Sequence, residues 1–273
     1  MDDTFIVTVY VVFDQLCQTF LDKPKYHPKM VPAEVMLVAV VAARYFNNNL
    51  ERALVILRQR QYIPASRCLS ISRFNRQLHH QVDFLDFCLH TLMELATSGE
   101  AFIIDSLPVP VCRRARARRC RKVRGREYCG YCAAKKEKFF GWRLHLICTP
   151  AGQPVAFGLV PGAFHDLTPI YEITVDLPDG ASLYGDKGYN DAMAEAFLAL
   201  DGLRLIPIRK KNMQPHEWAD EYDLRLHRKR IETVNSQLES LGLQHLRART
   251  NEGFDIKVHA SLIALWHTQA LEN

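Results

Sequence analysis

Ala101-Phe102-Ile103-Ile104-Asp105-Ser106-Leu107-Pro108 is the stretch that decides how this chain is read. An apolar run leads into one carboxylate, with Gly99 before it and Pro108 closing it. Such a run reads as a short strand buried inside a sheet, and Asp105 then sits at its far end. A buried carboxylate is costly unless something compensates it, and a metal ion is a common compensator. Taken alone, Asp105 reads first as a turn cap or as a partner for the arginines just downstream. The rest of the chain reverses that order.

Downstream, the two-residue period recurs. Phe139–Cys148 and Val155–Val160, with a turn at Gly152, predict an antiparallel hairpin. Ser182-Leu183-Tyr184-Gly185-Asp186 predicts a fourth strand, again ending on a carboxylate, and Leu203–Ile208 a fifth. Residues 167–176 read as a helix, with His165-Asp166 as its cap before any role bordering a site. Asn190 is the expected cap of a helix through Leu200, and residues 209–225 read as irregular. A long helix is expected from about Leu226 to Leu241, and a last one over Lys257–Leu271. In the long helix Ile231, Val234, Leu238 and Leu241 form a buried stripe, and Glu232 lies one residue off it.

Upstream, residues 1–98 read as helical. Helices are expected over Thr4–Leu21, from Pro32 to about Phe46, and from Leu50 to about Arg60 after the break at Asn47-Asn48-Asn49. Phe74, Leu78, Val82, Leu85, Leu89, Leu92 and Ala96 recur at spacings of three and four, which predicts one continuous amphipathic helix. Its first turns carry Arg73, Asn75 and Arg76, residue types that read bases and phosphates in a major groove; a solvated polar face is the plainer alternative. The division expected is a helical, DNA-binding domain with a helix-turn-helix-like segment over 1–98. An α/β domain over 99–273 then holds a mixed five-stranded sheet with flanking helices.

Composition fits a globular chain: 273 residues, 48% apolar and 24% charged. The most hydrophobic stretch, Phe5–Phe13, is too short to span a bilayer and comes after Asp2 and Asp3, so neither a membrane span nor an export signal is read. Eight cysteines without such a signal predict reduced thiols in a cytoplasm. The net charge of +5 is unevenly spread. Arg113, Arg114, Arg116, Arg118 and Arg119 open a basic run that reaches Arg126, with Arg209-Lys210-Lys211 and Arg228-Lys229-Arg230 further on. Such clusters point to a polyanion partner.

Asp105, Asp186 and Glu232 therefore fall at two strand ends and on a helix that can look across them. In an open sheet, sites form at that edge. Three carboxylates there suit two hard cations, Mg²⁺ or Mn²⁺, in an in-line phosphoryl displacement. Lys187, between Gly185 and Gly188, and Arg228, one turn before Glu232, are the expected phosphate contacts; an exposed ion pair is the alternative for Arg228.

The chain resembles insertion-sequence transposases of the 982 family, within the DDE transposases of ribonuclease-H-like fold. The matching stretches are Ile104-Asp105-Ser106-Leu107-Pro108-Val109-Pro110-Val111-Cys112, Gly130-Tyr131-Cys132-Ala133, Pro161-Gly162-Ala163-Phe164-His165-Asp166, Tyr184-Gly185-Asp186-Lys187-Gly188-Tyr189-Asn190-Asp191, Ile206-Pro207-Ile208-Arg209-Lys210-Lys211-Asn212, Arg228-Lys229-Arg230-Ile231-Glu232-Thr233-Val234 and, in the helical half, Ser72-Arg73-Phe74-Asn75-Arg76. The resemblance implies a triad of Asp105, Asp186 and Glu232 and Mg²⁺-dependent cutting and joining of DNA. It also implies a homodimer or larger assembly on element ends and target DNA, and a prokaryotic cytoplasm at the nucleoid. One departure stands out. Related enzymes carry a tyrosine and an arginine before the glutamate and a lysine two turns after it; here Arg228 matches the arginine, but Arg225 and Glu239 hold the other two places.

Cys112, Cys120, Cys129 and Cys132 have the spacing Cys-x7-Cys-x8-Cys-x2-Cys. One Cys-x2-Cys is half of a zinc ribbon, but the first pair is too widely spaced for the usual pattern, so free thiols are expected ahead of a Zn²⁺ site. Two rival functions remain open to this sequence: a zinc-knuckle nucleic-acid-binding protein without catalysis, and a nuclease of the same fold without strand transfer.

Overall fold

The computed structural model describes residues 1–22, 25–133 and 135–272. In chain order the elements are α1 (Asp3–Phe20), α2 (Pro32–Phe46), α3 (Leu50–Gln59), α4 (Ile71–His79), α5 (Val82–Glu94), β1 (Ala101–Cys112), β2 (Cys129–Cys132), β3 (Glu137–Cys148), β4 (Pro154–Pro161), α6 (Ile170–Ile173), β5 (Ser182–Gly185), α7 (Ala192–Leu200), β6 (Arg204–Pro207), α8 (Trp218–Ser240) and α9 (Asn251–Glu272). They form two compact units, residues 1–91 with 238–273, and residues 92–237. No helix among the described residues is long and apolar enough to cross a membrane.

In the helical unit α2 is the central element. Pro32 presets its first turn, and Glu34 reaches back to accept from the Val31 N–H at 3.0 Å while pairing with Arg67 at 3.1 Å. Ala33 to Ala43 are all buried, so the helix is apolar all round and must be surrounded. The contacts of α1, α3, α4 and α9 supply that cover. This corrects the expected boundary: residues 238–273 group with the N-terminal helices, because α9 buries most of its circumference against them. Asn48 ties the two ends of the unit together, donating to Leu241 O at 2.9 Å and to Ser261 Oγ at 3.2 Å.

The single helix expected over residues 74–96 is two. The His80 N–H still bonds Arg76 O, but the Gln81 N–H takes Leu78 O, and α5 starts a new ladder from Gln81 O. That tightening shifts the phase, so Val82 is only half-buried while Leu85, Cys88 and Leu89 fill the core.

The second unit is a mixed sheet with flanking helices. β1 pairs antiparallel with β3 and parallel with β5, and β5 pairs parallel with β6. β2 and β4 lie one after the other along the far edge of β3, so a sixth, short strand joins the five expected. Alternation sorts the side chains. Phe102, Ile104, Leu183 and Leu205 face one way, into a core with Tyr189, Leu198 and Ile173. Tyr184 and Ile206 face the other way and pack on Leu224 of α8.

Several boundaries differ from expectation: α9 begins at Asn251, six residues early, and the helix expected over 167–176 is only α6, while β1 and α8 are both longer. β1 runs past Pro108 to Cys112, because β5 stops at Gly185 and leaves that side of β1 an edge, where a proline lacks no needed hydrogen bond. α8 begins at Trp218, two turns early; its first turns are polar, with Asp220 and Glu221 at the N-terminal end, where acids are favoured.

Candidate active site

The register of β1 and β5 builds the site. Their pairing ends at Ile104 with Gly185, so Asp105 and Asp186 are the next residues on neighbouring parallel strands. Asp105 shares the sheet face of Ile103, the face that α8 covers. α8 contributes Glu232, and all three carboxylates line one pocket of about 170 Å³ with Lys187, His227 and Arg228.

The three acids sit in different surroundings. Asp105 is half-buried, accepts from the Ser106 N–H at 2.7 Å, and accepts from Asn235 Nδ2 of α8 at 2.7 Å. Burial pushes its carboxyl up to about 7, with the charges of Asp186 and Asp166 adding, against the two hydrogen bonds that favour the anion. Asp186 is exposed and caps the tight turn Lys187–Tyr189 by accepting from the Gly188 N–H. Glu232 is exposed and accepts from Arg228 Nε at 3.2 Å.

A carboxylate whose charge is disfavoured by burial, in a pocket of oxygen donors, fits a hard divalent cation. Asn235 Oδ1 adds an oxygen that is buried with no hydrogen-bond partner among the described residues. The acids share the pocket without closing into a ligand cluster. Among the described residues no three His, Cys, Asp or Glu side chains are gathered closely enough to hold an ion. That holds for the cysteines too: Cys112 hydrogen-bonds with Cys120, while Cys129 and Cys132 lie on β2. All four are free thiols.

Two residues of the site were not expected. Asn235 is one. The other is Asp166, read first as a helix cap: it accepts from Ser106 Oγ at 2.9 Å, with Arg143 NH1 3.7 Å away. It borders the site instead. A Cβ added at Gly188 would meet Asp166 Oδ2 at 2.5 Å and Asp186 Oδ1 at 3.1 Å, so glycine is what lets the two loops close up. Behind them His145 bonds the Tyr189 hydroxyl at 3.0 Å, and burial holds its ring neutral, its pKa down to about 3.

The expected DNA contacts divide. Arg113, Arg114, Arg116, Arg118 and Arg119 are exposed, at the cap and along a short 3-10 helix, Arg114–Arg119, that follows β1. Lys187, Lys210 and Lys211 are exposed as well. Arg209 is already committed, in a two-pronged pair with Glu195 at 2.5 and 2.8 Å. Asn190, the expected cap of α7, instead donates to Ile208 O, and Asp191 does the capping, accepting from Ala194 N at 2.8 Å. In the helical unit Arg73 and Arg76 are exposed on α4, and Asn75 is half-buried.

Among solved structures the chain is similar to the piggyBac transposase in a synaptic complex with hairpin DNA. The identity is 10% and the TM-score 0.46, over 99% of this chain and 73% of that one. No curated protein matches it. The family described as the transposase DDE domain matches residues 96–251. That span is more than half of the 273 residues, and the chain belongs to the transposase DDE-domain family.

Proposed function

We propose that this chain is the transposase of an insertion sequence of the 982 type, which cuts DNA at the element ends and transfers the freed strand to target DNA. The observation that carries the reading is the shared pocket of Asp105, Asp186 and Glu232 at the carboxyl ends of β1 and β5. In the first step water attacks a phosphodiester, the bond to the 3′-oxygen breaks, and a 3′-hydroxyl and a 5′-phosphate result. In the second step that hydroxyl attacks a target phosphodiester, and one P–O bond forms as one breaks.

Asp105, Asp186 and Glu232 are the residues that would hold Mg²⁺. When bound, such ions neutralise charge on the phosphate and acidify the attacking oxygen. Asn235 keeps Asp105 aimed into the pocket. Lys187 lies beside Asp186 and would meet a phosphate flanking the cut. The exposed arginines at 113–119 would track the duplex backbone, so binding would weaken steeply with salt. Joining two ends calls for a dimer or a larger assembly on DNA.

The test uses the full chain, Mg²⁺ and a plasmid carrying the element from which the chain is encoded. The expected result is nicks at the element ends and joined products, both lost by roughly 10³-fold or more in Asp105→Asn and Asp186→Asn. Cut ends without joined product would reduce the reading to a nuclease. Undiminished activity in both variants would overturn it.

A further inference from the structure

The first two turns of α8 carry a surface that the triad does not use. Trp218 is 81% exposed and Tyr222 57% exposed, and their rings stack with centroids 5.8 Å apart and planes 21° from parallel. A stacked aromatic pair facing water is unusual on a protein with a well-filled core, and marks a place where something else docks.

The spacing extends the feature. Trp218, Tyr222, Arg225, Lys229 and Glu232 succeed one another at intervals of four, three, four and three. At about 100° per residue they form one stripe, opposite the face that buries Leu224, Ile231 and Val234. Arg225 and Lys229 are exposed, and no acidic partner holds either among the described residues. The stripe thus runs from flat aromatic rings, through two unpaired cations, to a carboxylate of the pocket.

We infer that this stripe is a track for one DNA strand leading into the active site, with an unpaired base stacked on Trp218. The chemistry selects the occupant. Every base offers a π-face to an aromatic ring, and a phosphate backbone matches Arg225 and Lys229 in charge. Trp218 and Glu232 are 14 residues apart on α8, which is about 21 Å along a helix. A strand that keeps duplex spacing, about 3.4 Å per nucleotide, covers that in about six nucleotides, and a more extended strand in fewer. The stacked base therefore lies at most about six positions from the phosphate being cut. The placement fits a strand that has left its duplex, since a base inside a duplex is stacked on both faces. The inference rests on the transposase reading above.

The test compares two probes by fluorescence anisotropy without divalent metal: a blunt duplex, and the same duplex ending in a short single-stranded tail. The expected result is tighter binding of the tailed probe by the wild type. Trp218→Ala then loses roughly 5- to 100-fold affinity for the tailed probe and little for the blunt one, and Trp218→Phe retains most of it. Tryptophan emission of the wild type drops on adding the tailed probe, and that quench shrinks in Trp218→Phe. Trp218 packs against so little that its removal leaves the fold intact, and a circular dichroism melt checks this. Equal binding of both probes by the wild type, or an equal loss for both in Trp218→Ala, overturns the track while leaving the transposase reading in place. So does a Trp218→Ala variant that binds DNA normally but changes sedimentation, since the rings then belong to an interface with a second copy. A wild type that binds neither probe sinks the transposase reading itself.

Discussion

Asp105 and Glu232 line the same pocket, yet they are held there by opposite means. Asp105 is fixed by backbone: its strand is paired on one side with β3, its neighbour Ile104 is the last partner of β5, and two donors hold its oxygens. Its charge is disfavoured until something compensates it. Glu232 sits on an exposed helix surface, and a long side chain and a single arginine decide where its carboxylate points. One half of the site is made with the fold. The other half depends on a side chain that a phosphate or a cation can redirect.

The largest expected effect of this difference is on stability, in protein free of divalent metal. A carboxyl raised from 3.8 to about 7 makes the folded state bind its proton more tightly than the unfolded chain does. The stability it contributes is therefore complete below about pH 4 and is lost as pH rises through 7. Asp105→Asn removes that dependence. The variant is expected to melt higher than wild type at pH 8, by up to about 4 kcal/mol, with the gap closing toward pH 4. Glu232→Gln, at an exposed position, is expected to change stability by less than about 0.5 kcal/mol at either pH. Paired melts of the three proteins at pH 8 and pH 4 read both numbers. A Glu232→Gln gain equal to that of Asp105→Asn would erase the distinction.

Next in size is Asn235. Its amide donates to Asp105 Oδ2 at 2.7 Å, the position of an outer partner if Asp105 holds a metal as proposed. Asn235→Ala is expected to raise the Mg²⁺ concentration that gives half-maximal cleavage by roughly 10- to 100-fold. Its maximal rate should fall less. A variant with an unchanged Mg²⁺ titration would show that the strand alone positions Asp105.

The same contrast explains what could be read from sequence. Ile103-Ile104-Asp105 and Leu183-Tyr184-Gly185-Asp186 are local patterns, and strand pairing turns them directly into neighbouring carboxylates. Glu232 was legible as one position beside the stripe of Ile231, Val234 and Leu238, all of which are buried. Asn235 and Asp166 were not legible. Their contacts join residues 130 and 60 positions apart, and a lone Asn or a His-Asp before a helix has a commoner local reading. The extent of β1 was hidden for another reason: Pro108 ends most strands, and only the absence of a partner beyond Gly185 makes it harmless. The start of α8 was hidden because Trp218 to Asp223 carry no apolar period; their turns extend a helix whose buried face begins only at Leu224. The grouping of α9 with the N-terminal helices depended on α2 needing cover on every side, a property of the packed unit and not of either segment.

The smallest expected effect concerns Arg228. Its pair with Glu232 spans one helical turn, and both side chains are more than 60% exposed. Such pairs contribute about 0.3–0.5 kcal/mol, less at high salt. Arg228→Ala should therefore leave the melting temperature within a degree or two, and the double variant Arg228→Ala with Glu232→Gln should be no less stable than either single variant. A loss above about 1.5 kcal/mol in Arg228→Ala would mean that Glu232 is pinned as firmly as Asp105. A negligible loss, together with weaker binding of DNA, would mean that Arg228 holds Glu232 only until a phosphate arrives. The helix-borne half of the site would then be completed by its substrate, while the strand-borne half exists before it.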